Sequence, residues 1–246
     1  MFTYQIKVEY LGTNFVGWQF QKNGLSIQEV LEKALSKYLK ENIRIIGSGR
    51  TDSGVHAREQ SAHFKTKNKI NKRDIFVNSV NFFLKKHPVS ILNIQKRSNN
   101  FHARHSAKER TYKYFIINRA GSLAIEKSKA WHIRKKINIT IMKRGANLLK
   151  GTHDFSTFRS SSCEAKSPIK TIKDISIKKS KNKIILTFVS RSFLKQQVRS
   201  IVGCLKYVGE KKWTINKFKK VVKSKNRNLC APPAPGIGLY LEKVIY

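Results

Sequence analysis

Alternating apolar and polar positions mark the beginning of this chain. Residues 2–10 alternate strictly, which predicts a half-buried strand. Residues 26–41 carry apolar side chains three and four positions apart, which predicts an amphipathic helix. Ser26 is a candidate N-cap for this helix, and Glu29 is placed to complete a capping box.

The rest of the first half continues the same pattern. It predicts short strands near 43–48 and 61–66, a helix over 72–86 that ends at His87-Pro88, and a strand over 89–97. On the 72–86 helix, the residues expected to face inward are Ile75, Phe76, Val80, Phe83 and Leu84.

The second half repeats this order of elements without visible sequence similarity to the first. It predicts strands over 110–117, 172–178, 184–190 and 239–245, and helices over 139–150, 193–208 and 214–224. Residues 118–136 and 156–168 are expected to be insertions or loops. Each half therefore has the order β-α-β-β-α-β of a ferredoxin-like fold. We expect an α+β protein with a mainly antiparallel sheet and helices packed on it.

The halves suggest a division into two domains. We expect an N-terminal α/β domain over 1–105 that carries the Asp52 loop described below. A C-terminal α/β domain over 106–246 would complete a cleft.

Charge adds the first indication of function. The chain has 51 Lys and Arg against 14 Asp and Glu, for a formal net charge of +37. Such a surface favours polyanionic partners, nucleic acid first, because neutralised phosphates release counterions. An anionic membrane surface is the competing partner. Lys, Asn and Ile are all abundant, so compositional drift in an AT-rich genome is a second source of the charge.

Other sequence features narrow the class of protein. Three widely spaced cysteines, Cys163, Cys204 and Cys230, indicate free thiols in a reducing compartment and predict neither disulfides nor a zinc site. No apolar run reaches ~18 residues, and the first residues lack a signal-peptide pattern, so we expect a cytoplasmic protein without a membrane span.

One aspartate lies in an unusual setting. Asp52 belongs to Gly-Ser-Gly-Arg-Thr-Asp-Ser-Gly-Val-His-Ala-Arg over 47–58, a loop between two apolar strands, with Arg50 and Arg58 on either side. Neighbouring guanidinium groups favour the ionised carboxylate, which can act as a nucleophile or general base. A simple Asx turn with ordinary loop charges explains the same residues. The spacing alone leaves both readings open.

The loop motif Gly-Arg-Thr-Asp-Ser-Gly-Val-His-Ala over 49–57 resembles the signature of the TruA-type tRNA pseudouridine synthases. Further blocks that resemble the family follow in the expected order: 10–19, 101–107, 110–114, 131–132, 151–155, 167–169, 193–203, 231–233 and 238–241. So many ordered blocks are far more specific than one motif.

The resemblance implies isomerisation of uridine to pseudouridine at positions 38, 39 and 40 of the tRNA anticodon stem-loop, by a homodimer. It implies that Asp52 is the nucleophile, that Tyr112 packs on the target base, and that Arg199 is a basic residue that pairs with the aspartate. Arg50 would organise the loop or help to open the stem. The reaction is redox-neutral, so we expect no cofactor. Judged from periodicity alone, Tyr112 is a core residue and Arg199 a surface arginine.

Three positions depart from the family pattern. Leu11 replaces an aspartate, Ser53 replaces an alanine, and Gln196-Gln197 replaces a His-Met pair. A non-catalytic RNA-binding protein with paired ferredoxin-like domains is the alternative, because it too explains the charge and the aromatic residues.

Overall fold

A computed structural model describes all 246 residues of the chain. The chain divides into two compact units: Met1–Lys108 together with Tyr240–Tyr246, and Glu109–Leu239. Together the units contain five α-helices and ten strands, and most strand pairs are antiparallel. None of the helices combines the length and the apolar character needed to cross a lipid bilayer.

The first unit contains the elements β1 (Phe2–Tyr10), α1 (Ile27–Leu39), β2 (Ile46–Gly47), β3 (His56–Thr66), α2 (Arg73–Leu84) and β4 (Val89–Arg97). Its strands are ordered β4-β1-β3, with β2 paired to β3, which is the ferredoxin-like arrangement predicted from the sequence. The last strand of the chain, β10 (Leu239–Ile245), returns to this unit and pairs parallel to the start of β3.

Local sequence explains where α1 begins. The Oγ of Ser26 accepts a hydrogen bond from the backbone N–H of Glu29, as an N-cap serine does. The Glu29 carboxylate accepts from Lys33 one turn later, at 2.6 Å. The apolar stripe of α1 is buried, with Ile27, Leu31 and Leu35 fully shielded from solvent.

The second unit contains β5 (Glu109–Asn118), β6 (Trp131–Ile133), α3 (Ile139–Asn147), β7 (Gly151–Asp154), β8 (Ile169–Ser180), β9 (Lys183–Ser190), α4 (Gln197–Gly209) and α5 (Ile215–Lys223). Its strands are ordered β5-β9-β8-β7, all antiparallel, and β6 pairs parallel to the other edge of β5. The predicted α+β fold class is therefore confirmed.

Several local predictions were wrong. Ile75 is 52% exposed, because α2 buries Phe76, Val80 and Leu84, which recur every four residues on a face that excludes Ile75. Two short strands, β6 and β7, lie in segments whose strand character is too brief to detect by alternation.

The helix predicted over 193–208 begins later, at Gln197. The residue before it, Gln196, has a φ of +62°, so the helical path cannot extend back through it. Leu194 fits the apolar spacing of the helix because it is also buried, but its side chain is buried from the loop that precedes the helix.

Candidate active site

The Asp52 loop connects β2 to β3 and is fastened to the segment that follows β1. The backbone N–H of Trp18 donates to the carbonyl of Thr51 at 3.0 Å, and Gly17 forms an isolated antiparallel bridge with Asp52. The hydroxyls of Tyr10 and Thr51 are 2.9 Å apart and hydrogen-bonded. The backbone at Asp52 is thus held by a second piece of chain more than thirty residues away.

Two glycines make this arrangement possible. Gly17 has a φ of +124°, and a Cβ on it would lie 2.7 Å from the Thr51 carbonyl oxygen. Gly54 has a φ of +75° inside a turn closed by the Val55 N–H and the Asp52 carbonyl. Glycine permits both the close approach and the positive φ, so the motif glycines set the position of Asp52.

The preceding part of the loop is held from β3. Gln60 is fully buried, and its Oε1 accepts from the Ser48 hydroxyl while its Nε2 donates to the Gly49 carbonyl. The indole of Trp18, 2% exposed, covers Gly47 so closely that a Cβ there would lie 2.7 Å from the ring. The role of Gln60 in holding the loop was not among the predictions made from the sequence. Its position on the buried face of a strand that follows the motif was the available signal.

Ser53, where the family pattern has alanine, adds one more tie. Its hydroxyl donates to the Phe15 carbonyl at 3.0 Å. His56 adds another, because its Nδ1 accepts from the Gly12 N–H at 2.9 Å. The departure at Ser53 therefore strengthens the contact between the loop and the segment after β1.

The charged side chains of the motif differ in their surroundings. Asp52 is partly exposed and Arg50 is exposed, so a ligand in solution can reach both. Arg58, the second guanidinium predicted beside Asp52, lies on β3, where it pairs with Glu242 at 3.7 Å and stands over the Tyr240 ring. Its side chain is thus directed toward β10.

Tyr112 and Arg199 belong to the second unit. Tyr112 lies on β5 opposite Phe188 of β9, is 8% exposed, and meets the ring of Phe193 edge to face at 5.3 Å. The sheet and Phe193 therefore fix the orientation of its ring.

Arg199 lies in the first turn of α4 and is half-buried. Its Nε donates to the Ala234 carbonyl at 2.8 Å, and its own carbonyl accepts from the Ala234 N–H at 2.9 Å. These two bonds fix the guanidinium stem against the 231–234 segment, a partner that no sequence pattern indicated.

Tyr114, two residues after Tyr112, is a buried neighbour of Arg199 that no sequence motif had assigned to the site. Its hydroxyl donates to the Pro235 carbonyl at 2.8 Å, and its side chain is fully buried. Burial raises the pKa of Tyr114 well above its ordinary value of 10.0, and the positive charge of Arg199 lowers it by a smaller amount. The phenol is consequently neutral and helps to hold the segment that Arg199 contacts.

The departure at Gln197 has a structural role. Gln197 is fully buried at the start of α4, and its Oε1 accepts from the Leu194 N–H at 2.8 Å. An amide at this position thus closes the turn that leads into the helix.

Comparisons with known proteins agree with this set of motifs. A family model described as tRNA pseudouridine synthase matches residues 6–111 and 146–246. The chain is also similar to proteins named tRNA pseudouridine synthase A from three bacteria. The Pelagibacter ubique protein is 58% identical over the full length of both chains. The Parvibaculum lavamentivorans protein is 42% identical over 99% of this chain and 98% of its own. The Ehrlichia chaffeensis protein is 43% identical over 99% of each.

The loop around Asp52, the ordered motifs and these full-length similarities lead to one conclusion. The chain belongs to the tRNA pseudouridine synthase family and is an isomerase that converts uridine to pseudouridine in tRNA.

Proposed function

We propose that this isomerase acts at positions 38, 39 and 40 of the tRNA anticodon stem-loop, with Asp52 as its nucleophile. The observation that carries the proposal is the Asp52 loop, whose backbone is fastened on two sides while the carboxylate stays partly exposed. A carboxylate that must meet a reacting carbon gains from such positioning, because a misplacement of about 1 Å can cost ~10²-fold in rate.

The chemistry needs a group of this kind. Pseudouridine forms when the C1′–N1 bond breaks, the base turns, and a C1′–C5 bond replaces it. A nucleophile that forms a covalent bond during the rotation divides one difficult step into easier ones. The proton on C5 is lost at the end, so the reaction needs acid–base chemistry and no electron acceptor.

The other motif residues take roles that suit their surroundings. Tyr112, with its ring fixed by Phe193, is proposed to stack on the target base after the base leaves its helical stack. Arg199 is proposed to supply a positive charge that keeps the nucleophilic carboxylate ionised, and Arg50 is proposed to organise the loop or open the stem.

Phosphate contacts are proposed to come from the excess of Lys and Arg. We also propose that the enzyme works as a homodimer in the cytoplasm. Light scattering of the purified protein tests the dimer directly.

Replacement of the nucleophile tests the reaction. Asp52→Asn keeps the size of the side chain but removes the charge, so we expect loss of pseudouridine formation with retention of tRNA binding. The substrate is unmodified tRNA labelled with tritium at uridine C5, since tritium is released only when C5 bonds to C1′. Pseudouridine mapping then gives the position in the anticodon arm.

Asp74→Asn is the matched control, because Asp74 is an exposed aspartate in the first turn of α2 within the same unit. It should retain full activity. Activity of Asp52→Asn equal to that of the unaltered enzyme would refute the nucleophile assignment. Product only outside the anticodon arm would refute the proposed positions. Binding without any product would favour the non-catalytic RNA-binding module.

A further inference from the structure

Two cysteine thiols face each other in the second unit. The Sγ atoms of Cys204 and Cys230 are 3.4 Å apart and hydrogen-bonded. Cys204 is fully buried on α4, whereas Cys230 is half-buried and follows a short 3-10 turn, Arg227–Leu229. The pair differs from a lone buried cysteine because one thiol is within reach of solvent and the other is beside it.

The segment after Cys230, residues 230–234, runs along α4 toward Arg199. The Ala231 N–H donates to the Cys204 Sγ at 3.4 Å. The Pro232 carbonyl lies so near the helix that a Cβ on Gly203 would approach it to 2.1 Å. Ala234 then exchanges its two hydrogen bonds with Arg199. The thiol pair and Arg199 therefore lie at opposite ends of the close contact between α4 and the 230–234 segment.

The surroundings make Cys230 the more reactive thiol. Arg227 Nη1 donates to its Sγ at 3.4 Å and to the Ser200 hydroxyl at 2.6 Å. The hydrogen bond from Cys204 lowers the pKa of Cys230, and Arg227 lowers it further, against the effect of burial. The same bond and burial raise the pKa of Cys204. Thiolates are the nucleophilic form of cysteine, so Cys230 reacts first.

We propose that Cys204 and Cys230 are a reversible redox pair, which a hydroperoxide converts to a disulfide that slows the isomerase by displacing Arg199. The Cys230 thiolate attacks one peroxide oxygen, which breaks the O–O bond and yields a sulfenic acid with water or an alcohol as the other product. The Cys204 sulfur then attacks the sulfenic sulfur, forming the S–S bond and releasing water. Each oxidation consumes one peroxide and two thiols, and a thiol reductant reverses it.

The displacement follows from distance. A disulfide holds its sulfurs ~2 Å apart, so the pair must close by roughly 1.4 Å from its present 3.4 Å. Gly203 and Pro232 are already in contact, so closure of the two sulfurs cannot bring the 230–234 segment nearer to α4 and must instead shift it along the helix. Sliding disturbs the two bonds between Ala234 and Arg199. This consequence rests on the catalytic role proposed for Arg199.

Thiol chemistry gives the first test. The protein is treated with stoichiometric hydrogen peroxide, digested with trypsin and examined by mass spectrometry. We expect peptides 200–206 and 228–243 to appear joined, with the loss of two hydrogens, and to separate on treatment with dithiothreitol. Cys163→Ser should form the same link, whereas Cys230→Ser should not. Absence of the linked peptides in the unaltered protein would overturn the proposal.

Activity gives the second test. The oxidised enzyme should show a kcat roughly 10²-fold lower, because the thiol movement is comparable with the ~1 Å misplacements that can cost that much. Dithiothreitol should restore the rate, and Cys230→Ser treated identically should keep its rate. A linked enzyme with full kcat would overturn the effect on Arg199. Failure of the function proposal is distinguishable, since it would appear as missing anticodon-arm product in the reduced enzyme.

Discussion

Replacement of Gly17 by alanine tests how strongly activity depends on the contacts that hold the Asp52 loop. Gly17 has a φ of +124°, a conformation that is strained for any residue with a Cβ. In Gly17→Ala the new Cβ would lie 2.7 Å from the Thr51 carbonyl oxygen. That carbonyl belongs to the peptide that leads directly into Asp52, so relief of the strain moves the proposed nucleophile.

The structure sets the size of the effect. Carbon and oxygen ordinarily meet at ~3.3 Å, so the Thr51 carbonyl must move by about 0.6 Å from its 2.7 Å position. Because about 1 Å of misplacement can cost ~10²-fold, we expect kcat to fall roughly tenfold. The unfavourable φ costs about 1–3 kcal/mol, which lowers Tm by roughly 2–12 °C in a protein of this size.

Two measurements separate position from stability. Tritium release from uridine-labelled tRNA gives kcat and KM, and a thermal melt gives Tm. Gly121→Ala is the matched control, because a Cβ on Gly121 has no heavy atom within 4 Å and its φ is not positive. We expect kcat to fall in Gly17→Ala only, at temperatures well below its Tm. An unchanged kcat together with a lowered Tm would refute the link between the Gly17 bridge and catalysis.

Three further outcomes are expected. Ser53→Ala removes the 3.0 Å bond to the Phe15 carbonyl, so the free energy of unfolding should fall by about 0.5–1.5 kcal/mol in chemical denaturation, and a gain in stability would contradict this. Burial, and then the charge of His102, lower the pKa of His63 from 6.5. As the pH falls, the unfolded chain therefore takes up the proton first. The stabilisation from neutral His63 should be complete above pH 6.5 and should be lost as the pH decreases toward the folded-state pKa. In thermal melts between about pH 7.5 and 5.5, Tm should drop less in His63→Asn than in the unaltered protein. Affinity for tRNA should fall steeply with added salt in filter binding, by a log–log slope of about −0.7 to −0.9 per phosphate contacted, and a flat response would argue against phosphate contacts.

Much of the secondary structure could be predicted from local sequence patterns. The strict alternation of residues 2–10 and the Ser26 cap are short-range features, and both have the expected structures. Thr214 likewise caps α5 by accepting from the Lys217 N–H. Such elements are predictable because the interactions that define them join residues only a few positions apart.

Tertiary packing decided the features that local patterns could not. Ile75 has the spacing of a helical core residue but faces solvent. The elements that pack against a helix determine which of its apolar residues are buried. The pairing of β10 with β3 places Tyr240 opposite His56. The residue pattern of a strand does not indicate which distant strand it will pair with. Short strands such as β7 exist only because β8 supplies their partner.

The site divides in the same way. The sequence alone identified the family and the Asp52 loop, because a motif is a property of consecutive residues. Other contacts join residues that are 26 or more positions apart: Trp18 with Thr51, Arg199 with Ala234, and Cys204 with Cys230. Gln60, which also holds the loop, was given no role by any motif. Only the folded chain decides such contacts, because they depend on which surfaces pack together in three dimensions.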